Sequence, residues 1–125
     1  MPVEDVTAAE ARDALTRVLS SPEFAAATRL SDFLRHVVTE TLEGRGAAIK
    51  GYAIAVDVFG RPADFDQATD PIVRVEMRSL RRELAAYYEG EGRNDPIRIS
   101  VPKGRYVPAF EFRTEVASEA LVDAP

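Results

Sequence analysis

Four arginines lie close together in a segment with helical periodicity: Arg74, Arg78, Arg81 and Arg82. On a helix, residues three or four apart are neighbours, and like charges at that spacing destabilise an isolated helix by a few tenths of a kcal/mol. Most of these arginines have no acidic residue three or four positions away. The pattern therefore predicts an external partner that supplies negative charge, and phosphate is the first candidate because guanidinium groups bind phosphate oxygens in pairs.

The same segment, residues 70–88, carries an apolar stripe beside its arginines. Its members recur at intervals of three and four: Val73, Met77, Leu80, Leu84 and Tyr87 or Tyr88. This spacing predicts a helix with one side packed on a core and the next side open to solvent. We expect Asp70 to cap the helix and Pro71 to occupy its first position. A solvated amphipathic helix without a ligand is the alternative explanation of the charges.

A hairpin is predicted directly after this helix, over residues 97–112. Ile97, Ile99 and Val101 alternate with polar residues, which is the period of a half-buried strand. The return strand has apolar residues at 107, 109, 110 and 112, and the turn at 102–105 has Gly104 available for positive φ. A basic helix followed by a hairpin is typical of a winged helix, in which the helix enters the major groove of DNA and the hairpin lies along the backbone or minor groove.

Two stretches resemble a known family. Residues 73–84, VRVEMRSLRREL, and residues 99–106, ISVPKGRY, resemble the recognition helix and wing of OmpR/PhoB-type winged helix-turn-helix domains. The matching positions are Val73, Val75, Met77, Leu80, Arg81, Leu84, Val101, Gly104 and Tyr106. Residues 33–88 resemble, over a longer stretch, a bacterial domain found ahead of tetratricopeptide-repeat or adenylate-cyclase-like modules. The receiver domain and the four-stranded N-terminal sheet of the OmpR/PhoB type have no counterpart here.

The N-terminal half is predicted to be helical. Thr7 and Glu10 form a capping box for a first helix over residues 7–20, which Pro22 should stop. A second helix is expected over 29–43 with Gly44 at its end, then a short extended piece at 47–50 and a positioning helix at 51–59. The resulting fold class is mainly α with a C-terminal β-hairpin, a winged helix-turn-helix with two extra N-terminal helices.

One domain over residues 1–113 is expected to be followed by a flexible acidic tail at 114–125. The 60–69 loop between the positioning and recognition helices is longer than a simple turn. OmpR/PhoB-type domains also have an enlarged loop there, which the resemblance links to RNA polymerase or another regulator. Structural filler is the other explanation of this loop.

Individual roles follow from position along the helix. Arg74 and Arg78 are expected to bind guanine edges through paired hydrogen bonds, with Ser79 assisting at a base or phosphate. Arg81 and Arg82 are predicted to bind phosphates where the helix leaves the groove. Four further residues are expected to contact the backbone or minor groove: Lys103 and Arg105 in the wing, and Lys50 and the Tyr52 hydroxyl at the start of the positioning helix.

Charge and composition set limits on the function. The net charge is −5, yet residues 71–113 hold nine basic and six acidic side chains, so positive charge concentrates on the predicted helix and hairpin. The chain has no cysteine and one histidine, His36, which argues against disulfides and the usual zinc sites. Asp64, Asp66 and Asp70 resemble a calcium loop but lack its central glycine and terminal glutamate. We expect no enzyme activity, no cofactor and no metal.

The sequence predicts a sequence-specific regulator that binds double-stranded DNA, with a homodimer or repeated half-sites supplying affinity. No apolar stretch is long enough for a membrane span and no basic-plus-apolar leader is evident, so a cytoplasmic protein associated with the nucleoid is expected. The rival hypothesis is a non-enzymatic protein-interaction module on a winged-helix scaffold in a bacterial signalling pathway. Salt-dependent binding to duplex DNA would favour the first hypothesis.

Overall fold

The computed structural model describes residues 6–46, 49–64, 66, 71–103 and 106–113. Over these ranges the chain is mainly helical with a two-stranded antiparallel sheet. The elements, in chain order, are α1 (Ala8–Leu19), α2 (Pro22–Ala25), α3 (Thr28–Leu42), α4 (Gly51–Asp57), α5 (Ile72–Glu89), β1 (Ile97–Ser100) and β2 (Ala109–Phe112). The expected class, mainly α with a C-terminal hairpin, is confirmed at this level.

Helix α1 begins with the predicted capping box. The Glu10 backbone N–H donates to the Thr7 hydroxyl at 3.1 Å, and the Thr7 backbone N–H donates to the Glu10 carboxylate at 2.9 Å. The pair satisfies two amide groups that a helix start would otherwise leave without partners. The helix then buries Ala11, Ala14, Leu15 and Val18 against the core.

Removing this cap should have a measurable cost. Thr7→Ala deletes the hydroxyl acceptor, so we expect the free energy of unfolding to fall by about 1 kcal/mol. Urea unfolding followed by circular dichroism measures it. Thr39→Ala, at an exposed threonine inside α3, is the control and should change stability by less than about 0.5 kcal/mol. Equal effects of the two substitutions would show that the capping box does not stabilise α1.

A short helix, α2, follows where the sequence predicted only a stop. Pro22 prevents α1 from continuing, but it occupies the first turn of α2, where the backbone N–H that proline lacks would have no partner within the helix. The turn buries Phe24, whose carbonyl accepts a hydrogen bond from the buried Ser31 hydroxyl at 2.7 Å. This bond ties α2 to α3.

Helices α3 and α4 match two predicted helices with shifted ends. Helix α3 runs one residue earlier than the expected 29–43, and Gly44 follows it with φ of 85°, as a glycine after a helix commonly does. Helix α4 ends at Asp57 rather than at 59. The chain turns at Val58 and Phe59, and the Phe59 ring packs edge-on against Phe33 with centroids 5.2 Å apart.

Helix α5 is the longest helix of the described part and lies against both the other helices and the hairpin. Its predicted apolar stripe is buried: Val73, Met77, Leu80, Leu84, Tyr87 and Tyr88. The helix starts at Ile72, with Pro71 at the N-cap position, so the prediction that Pro71 is the first helical residue is wrong by one position. Asp70, predicted to cap the helix, lies outside the described residues.

The hairpin has the predicted strands. Ile97 pairs with Phe112 and Ile99 with Phe110, so the apolar side chains of β1 and β2 share the face that packs on the core. Arg98 and Ser100 alternate with them as half-buried residues. Gly104 and Arg105 of the predicted turn lie outside the described residues, as do Ala47 and Ala48 of the extended piece and the 114–125 tail.

Within the described residues, no helix combines the length and the apolar character that a crossing of the bilayer requires.

Candidate nucleic-acid interface

The outer face of α5 carries three arginines that are open to solvent. Arg74, Arg78 and Arg82 are exposed, and none of them has a hydrogen bond or ion pair with any residue that the structure describes. They are spaced four residues apart, so they form a slanting row along the helix. Among the described residues of the first half of the chain, no carboxylate therefore neutralises this row.

Acidic Glu76 is on the same helix but points to another side. Its half-buried carboxylate accepts a hydrogen bond from Arg29 of α3 at 3.0 Å. Glu76 and the arginine row therefore lie on different sides of the helix. The glutamate faces α3, where it has a cationic partner, and the arginine row faces outward without one.

Val75 lies beside this row and is 43% exposed. Ala85 and Ala86 are also exposed on the outer face. Small and apolar side chains therefore accompany the arginine row on this face of the helix. Ser79 is half-buried on the flank of the same face, close to Val75 in the helical register.

Arg81 differs from its three neighbours because it points inward to the hairpin. It is half-buried, and its Nε donates to the Val101 carbonyl at 2.7 Å while a terminal nitrogen donates to the Pro102 carbonyl at 3.2 Å. This internal role was not predicted from the sequence, and the predicted phosphate contact of Arg81 stays a prediction. The guanidinium satisfies two backbone acceptors at the point where β1 leads into the turn of the hairpin.

The predicted contacts at the start of α4 are only partly open. Lys50 is exposed and its extended backbone precedes the helix. The Tyr52 hydroxyl donates to the Ala63 carbonyl at 2.6 Å, which ties α4 to the following loop. Tyr52 is therefore not available as the phosphate donor that the sequence suggested, since its proton is already used within the chain. Helix α4 has only seven residues.

The hairpin contributes one described cation to the candidate site. Lys103 is exposed just beyond the two carbonyls that bind Arg81. Arg105, the second predicted wing contact, lies outside the described residues. Arg81 thus joins α5 to the end of β1.

The outer edge of β1 is closed by side chains rather than by a third strand. The Ile97 N–H donates to the Asp95 carboxylate at 3.1 Å, and the Ile99 N–H donates to the Tyr88 hydroxyl at 2.7 Å. The Arg81 contact with the Val101 carbonyl continues the series along the same edge. Two N–H groups and one carbonyl on this edge thus have side-chain partners, which makes the edge a poorer template for another strand.

Asp95, in the segment between α5 and β1, is the buried centre of this support. Its side chain is only 2% exposed and accepts two hydrogen bonds from the Arg17 guanidinium of α1, at 3.0 and 2.9 Å. The Tyr87 hydroxyl of α5 donates to the same carboxylate at 2.9 Å. Burial alone would raise the pKa of Asp95, but the bonds from Arg17, the Ile97 N–H and Tyr87 outweigh burial and lower it.

Tyr88 occupies the corner between α5 and the hairpin. Burial raises the pKa of its hydroxyl to about 12, although the bond from the Ile99 N–H works in the opposite direction. The guanidinium carbons of Arg98 and Arg113 lie 5.0 and 5.2 Å from its ring centroid, within the range of cation–π attraction. The phenol stays neutral and in place at physiological pH.

Comparison of the chain with protein-family models, with curated proteins and with solved structures finds no match.

Proposed function

We propose that this protein is a sequence-specific regulator of transcription that binds double-stranded DNA. Helix α5 enters the major groove, and the hairpin wing lies on the backbone or in the adjacent minor groove. The single observation that carries the proposal is the exposed row of Arg74, Arg78 and Arg82. Within the described part of the chain these arginines have no partner, while Glu76 on the same helix has one.

DNA fits this row better than a generic anion does. An α-helix matches the width of the major groove, and four-residue spacing places successive guanidinium groups along it. Arg74 and Arg78, in the first half of α5, are the proposed contacts with guanine edges, and half-buried Ser79 assists at a base or phosphate. Arg82, further along, is the proposed phosphate contact, because phosphate contacts position the protein while base contacts specify the sequence.

The arrangement of α4, the following loop, α5 and the hairpin supports a winged helix-turn-helix in which α1 and α3 are additional helices. The resemblance of residues 73–84 and 99–106 to OmpR/PhoB-type domains supports the same assignment. Lys103 and Arg105 are the proposed wing contacts, and Lys50 is a further candidate for phosphate. Such a regulator acts in the cytoplasm, on the nucleoid.

The net charge of −5 is compatible with this proposal. Charges on exposed surfaces are screened over about 8–10 Å at physiological salt, so a local basic row acts largely independently of distant acidic residues. Affinity of one copy is modest on this basis. Dimerisation or repeated half-sites, and a contact of the 60–69 loop with RNA polymerase or another regulator, would add to it.

Selection of duplex DNA from a random pool by the purified chain tests the proposal. We expect a short enriched motif containing guanine, and an affinity whose logarithm falls linearly with the logarithm of the salt concentration, by about 0.9 per phosphate neutralised. Absence of both an enriched motif and a salt dependence would overturn the proposal.

A protein-interaction module is the second candidate, and the exposure of Val75 favours it. Val75 lies beside the arginine row, and an exposed aliphatic side chain next to arginines is a feature of protein interfaces, where arginine is enriched. Binding of a bacterial protein that persists at high salt, together with no retention of duplex DNA, would establish this function in place of the first.

A further inference from the structure

The two edges of β1 have different partners. On the inner edge, Arg98 pairs with Glu111 and Ser100 with Ala109, and the Arg113 N–H donates to the Pro96 carbonyl at 2.9 Å. In an antiparallel strand the backbone groups of alternate residues point to opposite edges. The outer edge therefore belongs to residues 97, 99 and 101, which are the residues whose backbone groups bind side chains.

Arg81 holds the last position on that outer edge. Asp95 and Tyr88 bind the N–H groups of Ile97 and Ile99, the first and third residues of β1. Arg81 binds the carbonyls of Val101 and Pro102, where the chain leaves β1 and becomes the wing tip. Exposed Lys103 is the next residue.

The chemistry of this contact requires an arginine. Two nitrogens of one planar guanidinium reach two successive carbonyl oxygens, at 2.7 and 3.2 Å. A lysine ammonium is a point charge on a flexible stem and lacks this fixed fork of donors. The contact therefore fixes the direction of the chain at the base of the wing as well as its distance from α5.

We propose that Arg81 is a positioning residue that fastens the start of the hairpin turn, at Pro102 and Lys103, to the recognition helix. This inference rests on the proposed function and changes the role of one of its residues. Arg78 and Arg81 are one turn apart on α5, so the contact sets the place of Lys103 relative to the arginine row that enters the groove. Lys103 is then held in place before DNA arrives, and binding does not bear the entropic cost of ordering it.

Order in the free protein provides the first test. Nitrogen-15 relaxation of the Lys103 amide is compared in the wild type, Arg81→Met, Arg81→Lys and the control Arg82→Met. We expect an order parameter of about 0.85 for the wild type and the control, and less than about 0.6 for Arg81→Met. Arg81→Lys should fall between them, and thermal unfolding verifies that each variant is folded. An equally ordered Lys103 amide in folded Arg81→Met, or in Arg81→Lys if the methionine variant does not fold, would overturn the proposal.

Coupling to DNA binding provides the second test, on the motif selected from the random pool. In the wild-type background, Lys103→Ala should weaken DNA binding about three- to tenfold. In the Arg81→Met background, or in Arg81→Lys if only that variant folds, the same substitution should weaken DNA binding much less, because a Lys103 that is no longer held in place contributes little to binding. In the Arg82→Met background, Lys103→Ala should weaken DNA binding by the same factor as in the wild type. Independent effects of Lys103→Ala and the Arg81 substitution would instead make Arg81 a direct DNA contact.

The two tests separate the two proposals. If duplex DNA is not bound specifically, the proposed function fails, while the relaxation measurement still decides whether Arg81 orders the wing. If DNA is bound specifically and the Lys103 amide stays rigid without Arg81, the proposed function stands and the positioning role fails.

Discussion

Replacing Arg74 and Arg78 together by alanine should weaken binding to the selected duplex by about 2–5 kcal/mol and relax its sequence preference. Each guanidinium that binds a guanine edge through two hydrogen bonds contributes about 1–3 kcal/mol of discrimination. The two side chains are neighbours on the helix, so their effects need not add. Fluorescence anisotropy with the selected duplex and a scrambled duplex measures both quantities.

Two control variants make this experiment specific. Arg82→Ala should weaken the selected and scrambled duplexes alike and lower the salt slope by about 1, as expected for a phosphate contact. Arg35→Ala removes an exposed arginine of α3 that pairs with Asp32, and should leave binding unchanged. Wild-type affinity in the Arg74/Arg78 double variant would refute the base-reading role of α5.

The largest effect on stability is expected at Asp95. Asp95→Asn removes a buried negative charge that binds Arg17, Tyr87 and the Ile97 N–H. Hydrogen bonds to charged groups contribute about 1.5–3 kcal/mol each, and the half-exposed Arg17 regains water when its partner is lost. We therefore expect the free energy of unfolding at pH 7 to fall by about 2–4 kcal/mol, measured by urea unfolding.

The pH dependence of stability gives an independent test of the same carboxylate. Because the pKa of Asp95 is lower in the folded protein than its ordinary value of 3.8, its contribution is fully present above that value. The contribution is lost as the pH falls through the lower, folded value. Wild-type stability should thus decline below about pH 4, and the decline should be shallower in Asp95→Asn.

Asp64→Asn, at an exposed aspartate of the loop after α4, is the matched control for both measurements. It should differ from the wild type by less than about 0.5 kcal/mol at pH 7 and keep the wild-type acid profile. If Asp95→Asn behaved like this control, the clamp that joins α1, α5 and β1 would not stabilise the fold.

Local patterns predicted most of the helices and strands. The capping box of Thr7 and Glu10, the apolar stripe of α5 and the alternation of β1 each depend on residues within about one turn or a few positions. Helix α2 was missed because a single turn is too short to show periodicity, and Pro22 is compatible with a helix start as well as with a stop.

The candidate site was predictable only where it is open to solvent. Arg74, Arg78 and Arg82 stand out because α5 has no acidic residue three or four positions from any of them. The inward direction of Arg81 and the bond of Tyr52 depend on chain segments 20 and 11 residues away, which spacing does not reveal.

The role of Asp95 could not be predicted from the local sequence, because it depends on a contact with Arg17, which is 78 residues away along the chain. One local signal existed for Asp95. An aspartate two residues before a strand can accept a hydrogen bond from the backbone of that strand, as it does from the Ile97 N–H. The preceding run of glycine and charged residues obscured this signal, because such runs are typical of solvated loops.

Because α5 has an inward and an outward side, residues on the outward side can be substituted without substitution of the residues on the inward side. Residues 73, 77, 80 and 84 are buried in the core, whereas residues 74, 75, 78 and 82 are exposed to solvent. Random substitution at the outward positions should yield many well-folded variants with altered targets. The same framework could thus acquire new specificities during evolution, one exposed side chain at a time.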